Sequence, residues 1–224
     1  MKETIKTLLS LTLFTVSTIP KTSLSQLVVT KDSITNKTGI QSVIILDSGI
    51  TAKSLYNATK KLAQLQPQLF STGEANQYAA AIDEFIPRHT SNAMVHAALY
   101  RNDKPLTFYD DEKQQLVAKM MIRHEGKSST MLRRAFVELN LNFSFKQGKC
   151  RFRTKEIIIH IVNAYDGTIE PKDYTWDELK KENLPKKSME WLSGNIVNGL
   201  EKFISNYKKE VVKLIVPYAT DTDW

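Results

Sequence analysis

The hydrophobic patterning of this chain predicts an α+β protein: an antiparallel sheet of about five strands, with helices packed on one face. Two observations carry that expectation. From Val137 to Phe145 every second residue is apolar, while Glu138, Asn140, Asn142 and Ser144 between them are polar, the period of a half-buried strand. On either side of this β-rich centre, from Thr51 and again from Ser188, apolar residues recur every three to four positions, the period of an amphipathic helix.

The elements follow in order. Lys2 and Lys6, an uncharged stretch from Thr7 to Ile19, and small residues at Ser23 and Ser25 read as a signal peptide over residues 1–25, with the mature chain expected from Gln26. The apolar stretch is short of the ~20 residues needed to span a bilayer. Residues 26–39 are polar and irregular and read as a linker. Ile40 to Leu46 reads as a buried strand closed by Asp47-Ser48-Gly49. Thr51 then caps a helix with Leu55, Ala58, Leu62 and Leu65 on one side, ended by Pro67. Residues 68–104 form an Ala-rich helical insert in two pieces, Glu74 to Phe85 and Asn92 to Tyr100.

Leu106 to Tyr109 and Leu116 to Arg123 predict two strands around the acidic turn Asp110-Asp111-Glu112-Lys113. The alternating strand at Val137 turns at Gln147-Gly148 and returns with Cys150, Phe152 and Thr154 inward. Ile157 to Val162 reads as a buried continuation of that return strand. Residues 40–162 therefore form the α+β domain and residues 163–224 a helical extension packed on it. In the extension, Asn163 to Tyr174 reads as a loop, and Thr175 with Glu178 forms a capping box. Pro185 breaks that helix. Ser188 caps a long one striped by Met189, Leu192, Ile196, Leu200, Phe203, Ile204 and Tyr207. Val211 to Val216 fits a further turn or a strand.

Composition narrows the function classes. The formal charge of +7 over 224 residues falls to +5 once three lysines and one glutamate leave with residues 1–25. That is modest beside the concentrated charge of nucleic-acid binders, and no nucleic acid is expected. The single cysteine, Cys150, excludes an intramolecular disulfide, and its place far from the cleavage site excludes a lipoprotein anchor. The expected location is the periplasm or beyond.

No set of side chains completes a catalytic constellation. Asp47 in Leu46-Asp47-Ser48-Gly49 looks like the strand-end aspartate of subtilisin-like or aspartic proteases, yet no histidine or serine motif accompanies it. A strand followed by a turn and a helix cap has the same sequence. The remaining enzymatic reading is a hydrolase that folds His124 or His160 against Asp47. His89 and His96 stand two helical turns apart without further ligands, and Asp110, Asp111 and Glu112 lack calcium-loop spacing, so neither a metal nor a cofactor is expected. Cys150, alternating inward, should be a buried and unreactive thiol. The candidate binding feature is a basic stripe of Lys146, Lys149, Arg151, Arg153 and Lys155 on the outer face of the hairpin. It is expected to be solvated, paired with a covering helix through Glu190 and Glu201, or offered to an envelope protein or an anionic envelope surface.

Particular residues resemble a known family. Ile50-Thr51-Ala52-Lys53-Ser54-Leu55-Tyr56, Leu106-Thr107-Phe108-Tyr109-Asp110-Asp111, and the strand Val137 to Phe145 with its Gly148-Lys149-Cys150-Arg151-Phe152 return are similar to those of a family of uncharacterised secreted Gram-negative proteins. That family is a domain of unknown function with a TATA-binding-protein-like fold. The resemblance spans roughly Gln41 to Ile161 and departs at the insert, where the family has a much shorter connection. It implies a fold and a place in the envelope and transfers no catalytic residue. The expected function is a non-enzymatic binding or structural module of the envelope. A further alternative is an inhibitor or immunity-type protein docking a secreted partner through the insert.

Overall fold

The computed structural model describes residues 27–72, 104–123, 135–165, 168–182 and 184–219. Its strands are β1 (Leu27–Lys31), β2 (Thr38–Ile45), β3 (Ser71–Thr72), β4 (Leu106–Asp110), β5 (Gln115–Arg123), β6 (Ala135–Lys146), β7 (Lys149–Thr154), β8 (Ile157–Tyr165) and β9 (Thr168–Thr175). The helices are α1 (Ala52–Leu65), the single turn α2 (Trp176–Leu179) and α3 (Lys186–Ala219). The α+β class is as expected, but the sheet has nine strands among the described residues, not about five. All pairings are antiparallel except β3 with β5.

β6 organises the sheet. Along one side it pairs with β5, from Leu116 opposite Phe143 to Arg123 opposite Phe136. Along the other it pairs first with β7, Asn142 opposite Arg153, and then with β8, Leu139 opposite Ile157. Between those two ladders the register slips by one residue, the signature of a β-bulge, so Ile157 to Val162 is a second strand set end to end with β7. The Thr154 hydroxyl donates to the Glu156 carbonyl and fixes the bulge.

The sheet forks there. β2 and then β1 extend it beyond β7, while β9 extends it beyond β8. A Cβ at Gly39 would stand 2.1 Å from the Thr154 carbonyl oxygen, so only glycine lets β2 lie this close to the bulge. The two arms are tied across the fork: Asp177 in α2 accepts from the Thr38 N–H and hydroxyl, each at 2.7 Å, and Lys37 pairs with Glu156.

Three expectations are corrected here. Much of the stretch read as a linker is β1 and its turn, where Asp32 Oδ1 accepts from the Ile34 and Thr35 N–H groups at 3.1 and 2.9 Å, and Asn36 takes φ 57°. The loop expected from Asn163 to Tyr174 is the end of β8 and most of β9, whose Pro171 sits opposite Val162 on an outer strand that tolerates a missing N–H. Finally, α3 starts two residues before Ser188 and continues unbroken through Val211 to Ala219. The residues of the insert from 73 to 103 and the signal segment lie outside the described residues. Pro67–Phe70 forms a 3₁₀ turn leading into β3.

α1 and α3 cover one sheet face. Thr51 caps α1 through Ser54 N, and Leu55, Tyr56, Ala58, Thr59, Leu62 and Ala63 are buried, whereas Leu65 is exposed because the helix ends at the rim. The α3 stripe from Leu192 to Val211 is buried against Leu116, Met120 and Ile122 of β5 and Phe143 of β6. Ring contacts tie the layers: Phe152–Phe203 at 6.0 Å, Phe143–Tyr207 at 6.2 Å and Tyr56–Phe145 at 5.8 Å between centroids. Replacing Gly39 with Ala should cost ~3 kcal/mol or more, read as a lowered urea midpoint, because the obstructing atom is backbone. An unchanged midpoint would refute the close approach.

Candidate functional site

The face turned away from the helices differs between its two ends. Near the β8–β9 arm it is closed: Met121 and Phe136, which point outward, are only 5% and 7% exposed. Near the β6–β7 hairpin it is open. There Ile45, Lys149 and Lys146 lie in one cross-strand row, and Val43, Arg151 and Ser144 in the next. Val43 and Ile45 are 37% and 45% exposed, although the run Ile40 to Leu46 reads as fully buried in sequence.

The register sets Lys149, Arg151 and Arg153 of β7 on this face with Lys146 opposite Lys149, whereas Lys155 follows the end of β7 at the bulge, and their partners differ. Arg153 reaches Asp32 Oδ2 at 3.5 Å. Arg151 donates from Nε to Ser144 Oγ at 3.2 Å. Lys146, Lys149 and Lys155 are exposed and form no ion pair among the described residues. Glu190 and Glu201, expected as covering partners, belong to α3 on the opposite side of the sheet, and Glu190 pairs with Lys186. The stripe faces away from every described helix.

The hairpin tip holds Asp47 in a turn. Its Oδ1 accepts from the Gly49 N–H at 2.7 Å, and its carbonyl accepts from the Ile50 N–H. The Gln147-Gly148 turn interlocks with it: Gly148, at φ 63°, donates to the Ile50 carbonyl and accepts from the Leu46 N–H, each at 2.8 Å. His160 stands opposite Phe136, ten residues along β6 from Lys146 at the tip, or about 30 Å. Asp47 and His160 therefore cannot meet. His89, His96 and His124 lie outside the described residues.

His160 has a different setting, which its sequence neighbours do not announce. On β8 it sits between Asp173 of β9, 2.8 Å from Nδ1, and Glu138 of β6, 3.3 Å from Nε2. Burial opposes charging the ring, but the two carboxylates outweigh it and hold its pKa above the ordinary value. Hydrogen bonding to His160 in turn holds the Glu138 carboxyl low, against its own burial. With both nitrogens turned to carboxylates, the ring when protonated is a structural link between β6, β8 and β9.

The acidic turn also folds inward upon a helix. Asp110 Oδ1 accepts from the Glu112 and Lys113 N–H groups, while Asp111 accepts from the Tyr56 hydroxyl and from Lys60, whose ammonium lies 3.8 Å from the Tyr109 ring centroid. On the helix side Cys150 is fully buried, and burial pushes its thiol up to about 12, partly offset by Tyr207. The Tyr207 hydroxyl lies 2.6 Å from Thr59 Oγ1, which donates to the Leu55 carbonyl at 2.7 Å. Since that carbonyl only accepts, Tyr207 donates to Thr59, and the thiol is left to donate to Tyr207.

No known family profile and no curated protein matches the chain. Among solved structures it is similar to the crystal structure of a DUF4468 family protein from Bacteroides ovatus, with a TM-score of 0.39 and 15% identity over 83% of this chain and 90% of that one. That neighbour belongs to a domain-of-unknown-function family.

Three outcomes follow from these side chains. A raised His160 pKa adds stability that is complete below its ordinary 6.5 and lost as pH rises through the folded value; a lowered Glu138 pKa adds stability that is complete above its ordinary 4.5 and lost as pH falls through the folded value. The cluster is thus strongest between about pH 4.5 and 6.5. The thermal midpoint of His160→Gln should fall furthest below that of the parent in this window and converge with it at higher pH; a pH-independent gap would contradict the pairing. Separately, Tyr207→Phe should cost ~1–3 kcal/mol in urea titration, since it leaves a buried thiol unpartnered. Cys150 should react with a thiol reagent only after unfolding.

Proposed function

We propose that this protein is an exported, non-enzymatic binding module of the bacterial envelope. It docks its partner through the open end of the outer sheet face, on a domain of the TATA-binding-protein-like type that its sequence resembles. The observation that carries this reading is the exposed cluster of Lys146, Lys149 and Arg151 over two adjacent cross-strand rows with Val43 and Ile45, a cationic and aliphatic surface without a carboxylate partner among the described residues. A binding role also suits the side chains that could otherwise do chemistry: Asp47 closes a turn, both nitrogens of His160 are engaged, and Cys150 is buried. The partner is an envelope protein or an anionic envelope surface, with neither nucleic acid nor cofactor involved.

Two measurements test the reading. Expressed in a Gram-negative host, the chain should be recovered outside the cytoplasm with Gln26 at its N-terminus; an intact Met1 in the cytosol would refute export. The exported chain should also co-sediment with isolated envelope fragments, and Lys149→Glu/Arg151→Glu should lower retention about tenfold or more, the loss of two or more charge contacts. Equal retention of the variant would rule out this face.

A further inference from the structure

We propose that the partner of the open face is an anionic phospholipid surface, a step that rests on reading this face as the docking surface. Lys146 and Lys149 stand directly opposite each other as the last pair of the hairpin, a like-charge contact that is unfavourable without a counter-charge. Arg151 lies one cross-strand row away, about 7 Å along the strand, so three cations fall within a patch a few headgroups wide. Among the described residues no counter-charge reaches the patch: Asp32 is committed to Arg153, and Asp47, beside the tip, turns its carboxylate onto Gly49.

The backbone disfavours a peptide here. The β7 ladder is paired on one side with β2 and on the other with β6, so the backbone beneath the cations offers no edge, and past the end of β1 the outer edge of β2 leaves a stretch of only Val43 to Ile45 unpaired among the described residues, short for an added strand. What remains is side-chain chemistry on an open sheet face. Val43 and Ile45 are exposed in the same two rows as the cations. Aliphatic tips flanked by long lysine and arginine stems fit the boundary between headgroups and acyl chains, where the charge meets phosphate and the methyls meet lipid. The closed end, where Met121 and Phe136 are buried and His160 is neutralised by its carboxylates, offers no such surface. The protein therefore lies on the bilayer with the β6–β7 hairpin down and the α1–α3 layer away from it.

The test uses protein-free vesicles and the exported chain. It should sediment with phosphatidylglycerol-containing vesicles and not with phosphatidylcholine alone, and binding should weaken as salt is raised. Each cation removed should lower partitioning about fivefold, so Lys149→Gln/Arg151→Gln should lose about 25-fold. A charge-matched control on exposed helix positions, Lys53→Gln/Lys202→Gln, should bind like the parent. Val43→Ser/Ile45→Ser should weaken binding without altering its salt dependence. Equal binding to neutral vesicles, or an equal loss in the helix control, would overturn the proposal. So would tighter binding to duplex DNA than to vesicles. Failure on vesicles with continued, protease-sensitive retention on envelope fragments would overturn the lipid assignment and leave a protein partner on the same face. Failure on both would overturn the docking surface itself.

Discussion

At Gly39 the β2 backbone passes so close to the Thr154 carbonyl that no side chain fits between them, and at the same place one extra residue enters the strand opposite β6. The sheet owes its shape to this contact. Without the bulge, β7 and β8 would be one strand with one outer neighbour. With it, β2 and β1 continue one arm while β9 continues the other. The ties of Thr38 to Asp177 and of Lys37 to Glu156 hold the arms where backbone ladders no longer can.

The fork also separates two electrostatic environments on one face. On the β8–β9 arm an imidazole is enclosed by two carboxylates contributed by neighbouring strands, and apolar side chains beside it are buried. On the β2–β7 arm the cations of the hairpin lie beyond the reach of those carboxylates, and among the described residues only Arg153, nearest the β1 turn, finds an acid. Charge that is balanced internally contributes to stability; charge left unbalanced on an open face is available to a partner.

Burial and hydrogen bonding account for the other reactive side chains. Thiol, phenol and hydroxyl in the Cys150, Tyr207 and Thr59 series join β7, α3 and α1 inside the core, where each polar group has a partner and ionisation is opposed. The acidic turn at Asp110 and Asp111 likewise anchors β4 to α1 through Tyr56 and Lys60. These groups look like chemistry in a linear sequence and act as fasteners in the fold.

Locally encoded features were legible from the residues. The β6–β7 hairpin with Gly148 at φ 63°, the Thr51 cap, the Thr175–Glu178 capping box and the α3 stripe each depend on side chains within a few positions of one another. The sequence by itself also determined that Cys150 faces inward and that the hairpin basic residues share an outer face. It could not tell Val43 and Ile45 from their buried neighbours, because an unbroken apolar run carries no period and which alternate face is covered depends on distant elements. Nor could it pair Arg153 with Asp32, or His160 with Glu138 and Asp173. Those contacts join segments far apart in the chain, Arg153 to the β1–β2 turn and His160 to β6 and β9, so they exist only once the long-range ladders have formed.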